Sequence, residues 1–325
     1  MLPIFRNTSP YTVILLLIIT VLLKLRALLH PIAPVSADEY YLYDHILRGL
    51  NIIFNGNAFA FTLLAAFNTF CQAMYLNGIC NRRKLFLRTG YIPALTFILL
   101  SSIYPAFNYF SLPVLLIWFL LGSLDVVSSL GQTLQPRKQI FNAGFLLSMA
   151  AMMQFSAVVY FIFLLVCLIV LRPFNISEWV VGLMGYLTPV YFSACILFLL
   201  DKLEILYDMP DVGISLPGKI GWQLLFLISG LLILFFSGLY ALQLQTTKVS
   251  IYVRRNWVAF IIFLILSVAV AIFTSDEVKN PWLITILPLS LVISNAFSLE
   301  KSKWFSNFAF YFSLLFVVAC QWAIK

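Results

Sequence analysis

Long apolar runs separated by short polar breaks dominate the chain. Tyr11–Leu29, Ile52–Leu76, Thr89–Tyr104, Ser111–Leu124, Phe141–Met153 and Phe155–Leu171 make up the first half of the pattern. Trp179–Leu200, Trp222–Leu244, Trp257–Phe273, Pro281–Ser298 and Trp304–Ala323 make up the second. The runs are continuous rather than alternating, which selects helices over the strands of a membrane barrel. Four of them open on a tryptophan, a residue that anchors helices at headgroup level. The pattern predicts an all-α, polytopic transmembrane bundle of about 11 segments.

The stretch 141–171 is the exception, because it is longer than the roughly 20 residues that one span needs. Two short helices hinged near Met153-Gln154-Phe155-Ser156 are the better reading. With the N-terminus inside, that choice puts more of the 20 Lys and Arg residues on the cytoplasmic face than one long helix would. The segment is therefore expected to be broken or paired, with the N-terminus cytoplasmic and the C-terminus periplasmic in a bacterial inner membrane. Arg6 followed by an apolar run suggests a signal peptide, with Val35-Ser36-Ala37 as its cleavage site. Lys24 and Arg26 interrupt that run, however, and an uncleaved first span is expected.

Composition removes the alternatives. The chain is 62% hydrophobic and 10% charged, against about 45–50% and 25% for soluble domains. Residues 1–325 read as a single integral membrane domain with no sizeable soluble part. The net charge of +8 lies in short clusters between the apolar runs, which suits lipid headgroups rather than nucleic acid. Five cysteines form no CxxC or Cys/His pattern, so neither disulfides nor structural zinc are expected. No cofactor is expected either. The acidic loop Asp201–Lys219 is the one place that suggests a divalent cation at the outer face, and it lacks the oxygen-ligand spacing of a calcium loop. No glycine-rich nucleotide motif occurs, and no acidic residue lies convincingly inside a span, which argues against an ion-coupled transporter.

Candidate chemistry concentrates in PVSADEYYLYDHI (Pro34–Ile46). Ser36 and Glu39 have the spacing of a capping box at a helix start. Asp44 and Arg48 are placed for an i,i+4 ion pair, and Tyr40, Tyr41 and Tyr43 suit a helix lying at headgroup level. The acidic pair Asp38-Glu39 after the first span also resembles the first outer loop of GT-C glycosyltransferases. The resemblance implies transfer of sugars from a polyprenyl-phosphate carrier, with Asp38 or Glu39 as catalytic base. Lys24, Arg26, Tyr41, Arg48 and Gln154 are then the candidate substrate-binding groups, although Lys24 and Arg26 are also placed to snorkel to headgroups. No metal ligand is assigned. Gln154, Asn142 and Gln72 are read as buried polar groups, most simply as glue between helices. His30 and His45 are too scattered for a metal or a proton relay.

The middle of the chain resembles a second group, an uncharacterised family of polytopic membrane proteins from Bacteroidetes. The features are the AGFLL run (Ala143–Leu147), the turn Arg172-Pro173-Phe174 followed by Glu178-Trp179, and the helix carrying Gly185, Pro189, Tyr191 and Phe192. In this turn Arg172 reads as a cytoplasmic anchor and Ser177 as the cap of the next helix. Two functions follow from the sequence. One is an envelope enzyme of GT-C type acting on lipid-linked sugar at the periplasmic face. The other is a non-catalytic scaffold or subunit that associates with other envelope proteins. The clustering of polar groups on one face ranks the enzyme slightly ahead.

Overall fold

A computed structural model of the protein describes residues 2–34, 40–133, 135–206, 221–274, 280–299 and 303–323. All regular secondary structure among them is helical. A single turn, α1 (Leu2–Phe5), precedes α2 (Pro10–Leu23) and the short α3 (Leu25–Leu29). Next come α4 (Tyr41–Phe54), α5 (Ala58–Arg82), α6 (Ile92–Ser101), α7 (Leu112–Val127), α8 (Arg137–Met153) and α9 (Tyr160–Leu171). The chain continues with α10 (Ile176–Leu199), α11 (Trp222–Thr246), α12 (Ile251–Ile272), α13 (Leu283–Ser298) and α14 (Lys303–Ala323).

The expected second span begins later than its hydrophobicity suggests. Asn55 and Gly56 both adopt the left-handed conformation, with φ of 50° and 70°, and this ends α4. Asn57 then caps α5, its side chain accepting from the Phe59 amide at 3.0 Å. Ile52–Phe54 therefore belong to α4. The stretch 141–171 is broken, as its length suggests. Gln154 is extended (φ −146°, ψ 115°) between α8 and a 3-10 turn at Phe155–Val159 that leads into α9.

Among the described residues five helices, α5, α10, α11, α12 and α14, are long and apolar enough to cross a membrane. Several others are equally apolar but shorter. Two of these sit innermost. Every residue of α6 is buried, and so is nearly all of α13. A helix apolar on all sides must be enclosed by others. These two meet through Ser294 Oγ, which donates to Thr96 Oγ1 at 3.0 Å. By contrast, α10 and α11 bury only 22% of their most apolar stretches inside the bundle.

Outlying helices are held by close backbone contacts at small residues, since lipid offers no hydrophobic drive for association. On α8, a Cβ on Gly144 would stand 2.5 Å from the Gly182 carbonyl oxygen of α10. A Cβ on Gly185 would collide with the Phe141 carbonyl. On α11, Gly238 faces the Val292 carbonyl of α13, where a Cβ would lie at 2.6 Å. Replacing Gly185 with Ala is expected to cost about 1–3 kcal/mol, because backbone rather than a flexible side chain must yield. Gly49, with nothing within 4 Å, is the control, and Gly49→Ala should not destabilise. Thermal unfolding of both variants in detergent checks the pair.

Candidate functional site

The bundle has two polar ends, recognisable from which loops bond to one another. One end is rich in arginine and joins the segments near residues 6, 82–90, 125–133, 172–178, 252–256 and 297–299. The other joins those near 23–30, 102–109, 154–156, 274–280 and 321. Lys24, Arg26 and Gln154 of the candidate site residues belong to this second end.

Asp38 and Glu39, the expected catalytic pair, lie outside the described residues, as does Ser36 of the capping box. The helix that follows starts at Tyr41, with Tyr40 at its N-cap position and no side-chain cap. On that helix Arg48 and Asp44 form the expected i,i+4 ion pair at 2.6 Å. The Tyr41 ring packs on His45 at 4.1 Å, and His45 Nδ1 is 3.1 Å from the Tyr41 carbonyl oxygen. Tyr41 and Arg48 are thus each engaged within α4. Tyr43 faces inward, and burial pushes its phenol up to about 12.

Lys24 differs from the snorkelling expectation. It caps the C-terminus of α2, yet its side chain turns inward and the residue is only 1% exposed. Its ammonium has no hydrogen-bond partner, and neither does the buried hydroxyl of Ser102. The C-terminal ends of α2, α6 and α14 converge here. Gln321 Nε2 donates to the carbonyls of Leu23 (2.8 Å) and Ser102 (2.9 Å), and Arg26 donates to the Gln321 carbonyl. Three helix C-termini supply partial negative charge, which is the environment a cation prefers. Gln321 and Ser102 were missed in the sequence. The only signal was a lone amide within the last apolar run.

Gln154 is also sealed, at 1% exposure. Its Nε2 donates to Ser156 Oγ (2.8 Å) and Thr274 Oγ1 (2.7 Å), and those two hydroxyls lie 3.0 Å apart. The Oε1 atom has no partner. At the start of α9, Tyr160 donates to Ser267 Oγ at 2.9 Å, so the break is fastened both to α12 and to Thr274 just beyond it. Lys24 and Gln154 share no hydrogen-bond partner, and neither lines the two cavities described in the protein, both of which lie at the basic end. Gln72 bonds the Val114 carbonyl at 2.7 Å and ties α5 to α7, whereas Asn142 is exposed rather than buried.

At the basic end Arg172 is more than an anchor. It pairs with Glu178 at 2.9 Å and donates to the carbonyls of Leu130 and Thr133. The cap of α10 is Asn175, whose side chain accepts from the Ser177 amide, and not Ser177 itself. No group of three or more His, Cys, Asp or Glu side chains suited to a metal occurs among the described residues.

Residues 40–323 match a family of unknown function, DUF6427. The chain belongs to that family. The DUF6427 match covers Tyr41, Arg48 and Gln154, and begins after Lys24, Arg26, Asp38 and Glu39. No curated protein and no solved structure matches the chain.

Both sealed polar groups have measurable consequences for stability. Lys24→Met removes a buried unpaired charge and should raise stability by roughly 1–4 kcal/mol. Gln154→Ala removes two buried hydrogen bonds at the break and should cost about 1–3 kcal/mol. Chemical unfolding of the two variants in detergent reads both signs.

Proposed function

We propose that the chain is a non-catalytic membrane subunit of the bacterial cell envelope, a scaffold on which other envelope proteins assemble. The observation that carries this reading is the closed helix break. An enzyme acting on a lipid-linked sugar needs a polar cavity reaching from the outer leaflet to its reacting groups. Gln154 instead spends its amide on Ser156 and Thr274 inside a packed bundle. The broad lipid-facing surfaces of α10 and α11 support the same reading, because they leave room for partner helices. Arg6, Arg82, Arg83, Arg88, Arg172 and Arg254 gather at one end, and the positive-inside rule supports that end as cytoplasmic. On this reading all of about 11 segments cross the inner membrane, the short α6 and α13 enclosed by their neighbours. The N-terminus is then cytoplasmic and the C-terminus periplasmic, and the resemblance noted above supports a source among the Bacteroidetes.

One observation favours the second reading, a GT-C-like glycosyltransferase. A buried ammonium without a partner is costly, and ionisable groups kept inside a membrane protein commonly serve a ligand. Lys24 stands near the start of the loop that carries Asp38 and Glu39, where a polyprenyl phosphate would arrive. A complementation experiment separates the two readings. In a strain lacking the protein, a gene carrying Asp38→Asn and Glu39→Gln together should restore normal envelope glycans and growth if the chain is a scaffold. Failure to restore glycans, with the variant present at normal levels in the membrane, would overturn the scaffold reading in favour of the enzyme.

A further inference from the structure

A wide-mouthed groove of ≈ 650 Å³ opens at the basic end, with Arg6, Arg88 and Thr89 among its lining residues. Both of those arginines are already engaged. A different set of cations at the same end has no carboxylate of its own, and it lies at the turn between α11 and α12.

That turn is held from both sides. At the end of α11, Gln245 Nε2 donates to the Asn295 carbonyl at 3.3 Å and to Ser298 Oγ at 2.9 Å. Lys248 follows, its amide donating to the Gln245 carbonyl at 2.9 Å. Ser250 then caps α12, its side chain accepting from the Val253 amide at 3.4 Å. In the first turns of α12, Tyr252 and Asn256 donate to the Ser128 carbonyl, and Trp257 Nε1 donates to that of Leu85 at 3.4 Å. The inner side of the turn is therefore committed to the bundle.

Helical spacing sends the other side outward. Tyr252, Val253, Asn256, Trp257 and Phe260 make the inner face of α12, so Arg254 and Arg255 fall on the opposite one. Both are exposed, and so is Lys248. The ion pairs among the described residues use Asp44, Asp125 and Glu178, and none of them reaches these three cations. Beyond Arg254 and Arg255 the same face turns apolar. Val258 and Ile265 are 47% and 62% exposed, with Ile262 half-buried between them.

Cations at the head of a continuous apolar face suit one kind of partner. Guanidinium groups fork onto phosphate oxygens, an ammonium adds a point charge, and hydrocarbon attached to the phosphate covers the apolar side chains. An acidic protein segment would neutralise the three charges but leave the apolar face beneath them uncovered.

We propose that Lys248, Arg254 and Arg255 bind the phosphate of an anionic phospholipid, whose acyl chains lie along Val258, Ile262 and Ile265. The site does not depend on either functional reading, since a subunit and an enzyme would hold such a lipid alike.

The test uses the purified full-length chain in a neutral detergent, titrated with dioctanoyl phosphatidylglycerol, dioctanoyl phosphatidylcholine or a hexaglutamate peptide, with bound ligand counted by native mass spectrometry. Phosphatidylglycerol is expected to bind more tightly than phosphatidylcholine. Arg254→Gln and Arg255→Gln together should weaken it about tenfold, and the corresponding pair of lysine substitutions less. Lys202→Gln, beyond the far end of α10, should leave it unchanged. Lys248→Gln supplies a second lesion should the double variant fail to fold, and is expected to weaken binding in the same direction. Equal phosphatidylglycerol binding by wild type and both turn variants would overturn the proposal. So would arginine-dependent binding of hexaglutamate with no preference for phosphatidylglycerol over phosphatidylcholine, which would assign the turn to an acidic protein segment instead.

Discussion

The end of α7 is where the structure is tied together. A helix leaves its last carbonyls without partners, and in a protein so poor in polar side chains each must be satisfied from elsewhere in the fold. Asp125 and the turn after it meet that demand by recruiting donors from three directions. Arg82 and Arg83 of α5 reach the Asp125 carboxylate at 2.8 and 3.2 Å, and Tyr75 donates to it at 3.2 Å. From α12, Tyr252 and Asn256 donate to the Ser128 carbonyl. From the turn before α10, Arg172 donates to Leu130 and Thr133. One helix terminus thus sets the relative positions of α5, α12 and the α9–α10 turn.

The opposite end uses neutral groups for the same purpose. Gln321 collects the terminal carbonyls of α2 and α6, and Gln154 with Ser156 and Thr274 locks the break between α8 and α9 to α12. Each side-chain amide there replaces the water that a soluble protein would use. The result is a bundle sealed around Gln154 and Lys24 and grooved at its basic end. That asymmetry underlies the functional reading, because a catalytic centre needs access and Lys24 and Gln154 have none.

Much of the architecture was legible in the sequence, and the reasons for the rest are physical. Continuous apolar runs specified helices because nothing else satisfies the backbone in lipid. The break at Gln154 was legible because the run was too long for a single span. The shift from Ile52 to Ala58 came from Asn55-Gly56, a turn-forming dipeptide whose left-handed geometry overrides the hydrophobicity around it. Lys24 was not legible. Its inward turn depends on three helix ends meeting, and their sequence positions, near 24, 102 and 321, give no hint that they do. The hub at Asp125 was hidden for the same reason, since its partners come from other helices. Asn142 was misjudged because a polar residue in an apolar run says nothing about which face it occupies.

Accessibility of the two ends to a charged thiol reagent tests the central claim most directly. In a background with the native cysteines replaced, Gln154→Cys and Thr89→Cys variants of the full-length protein are exposed to a membrane-impermeant maleimide in detergent. A closed end and an open groove predict rapid labelling of Thr89→Cys. Gln154→Cys should react only after denaturation. Rapid labelling of Gln154→Cys in the folded protein, with its thermal unfolding still cooperative, would contradict the account and reopen the case for a substrate cavity at the helix break.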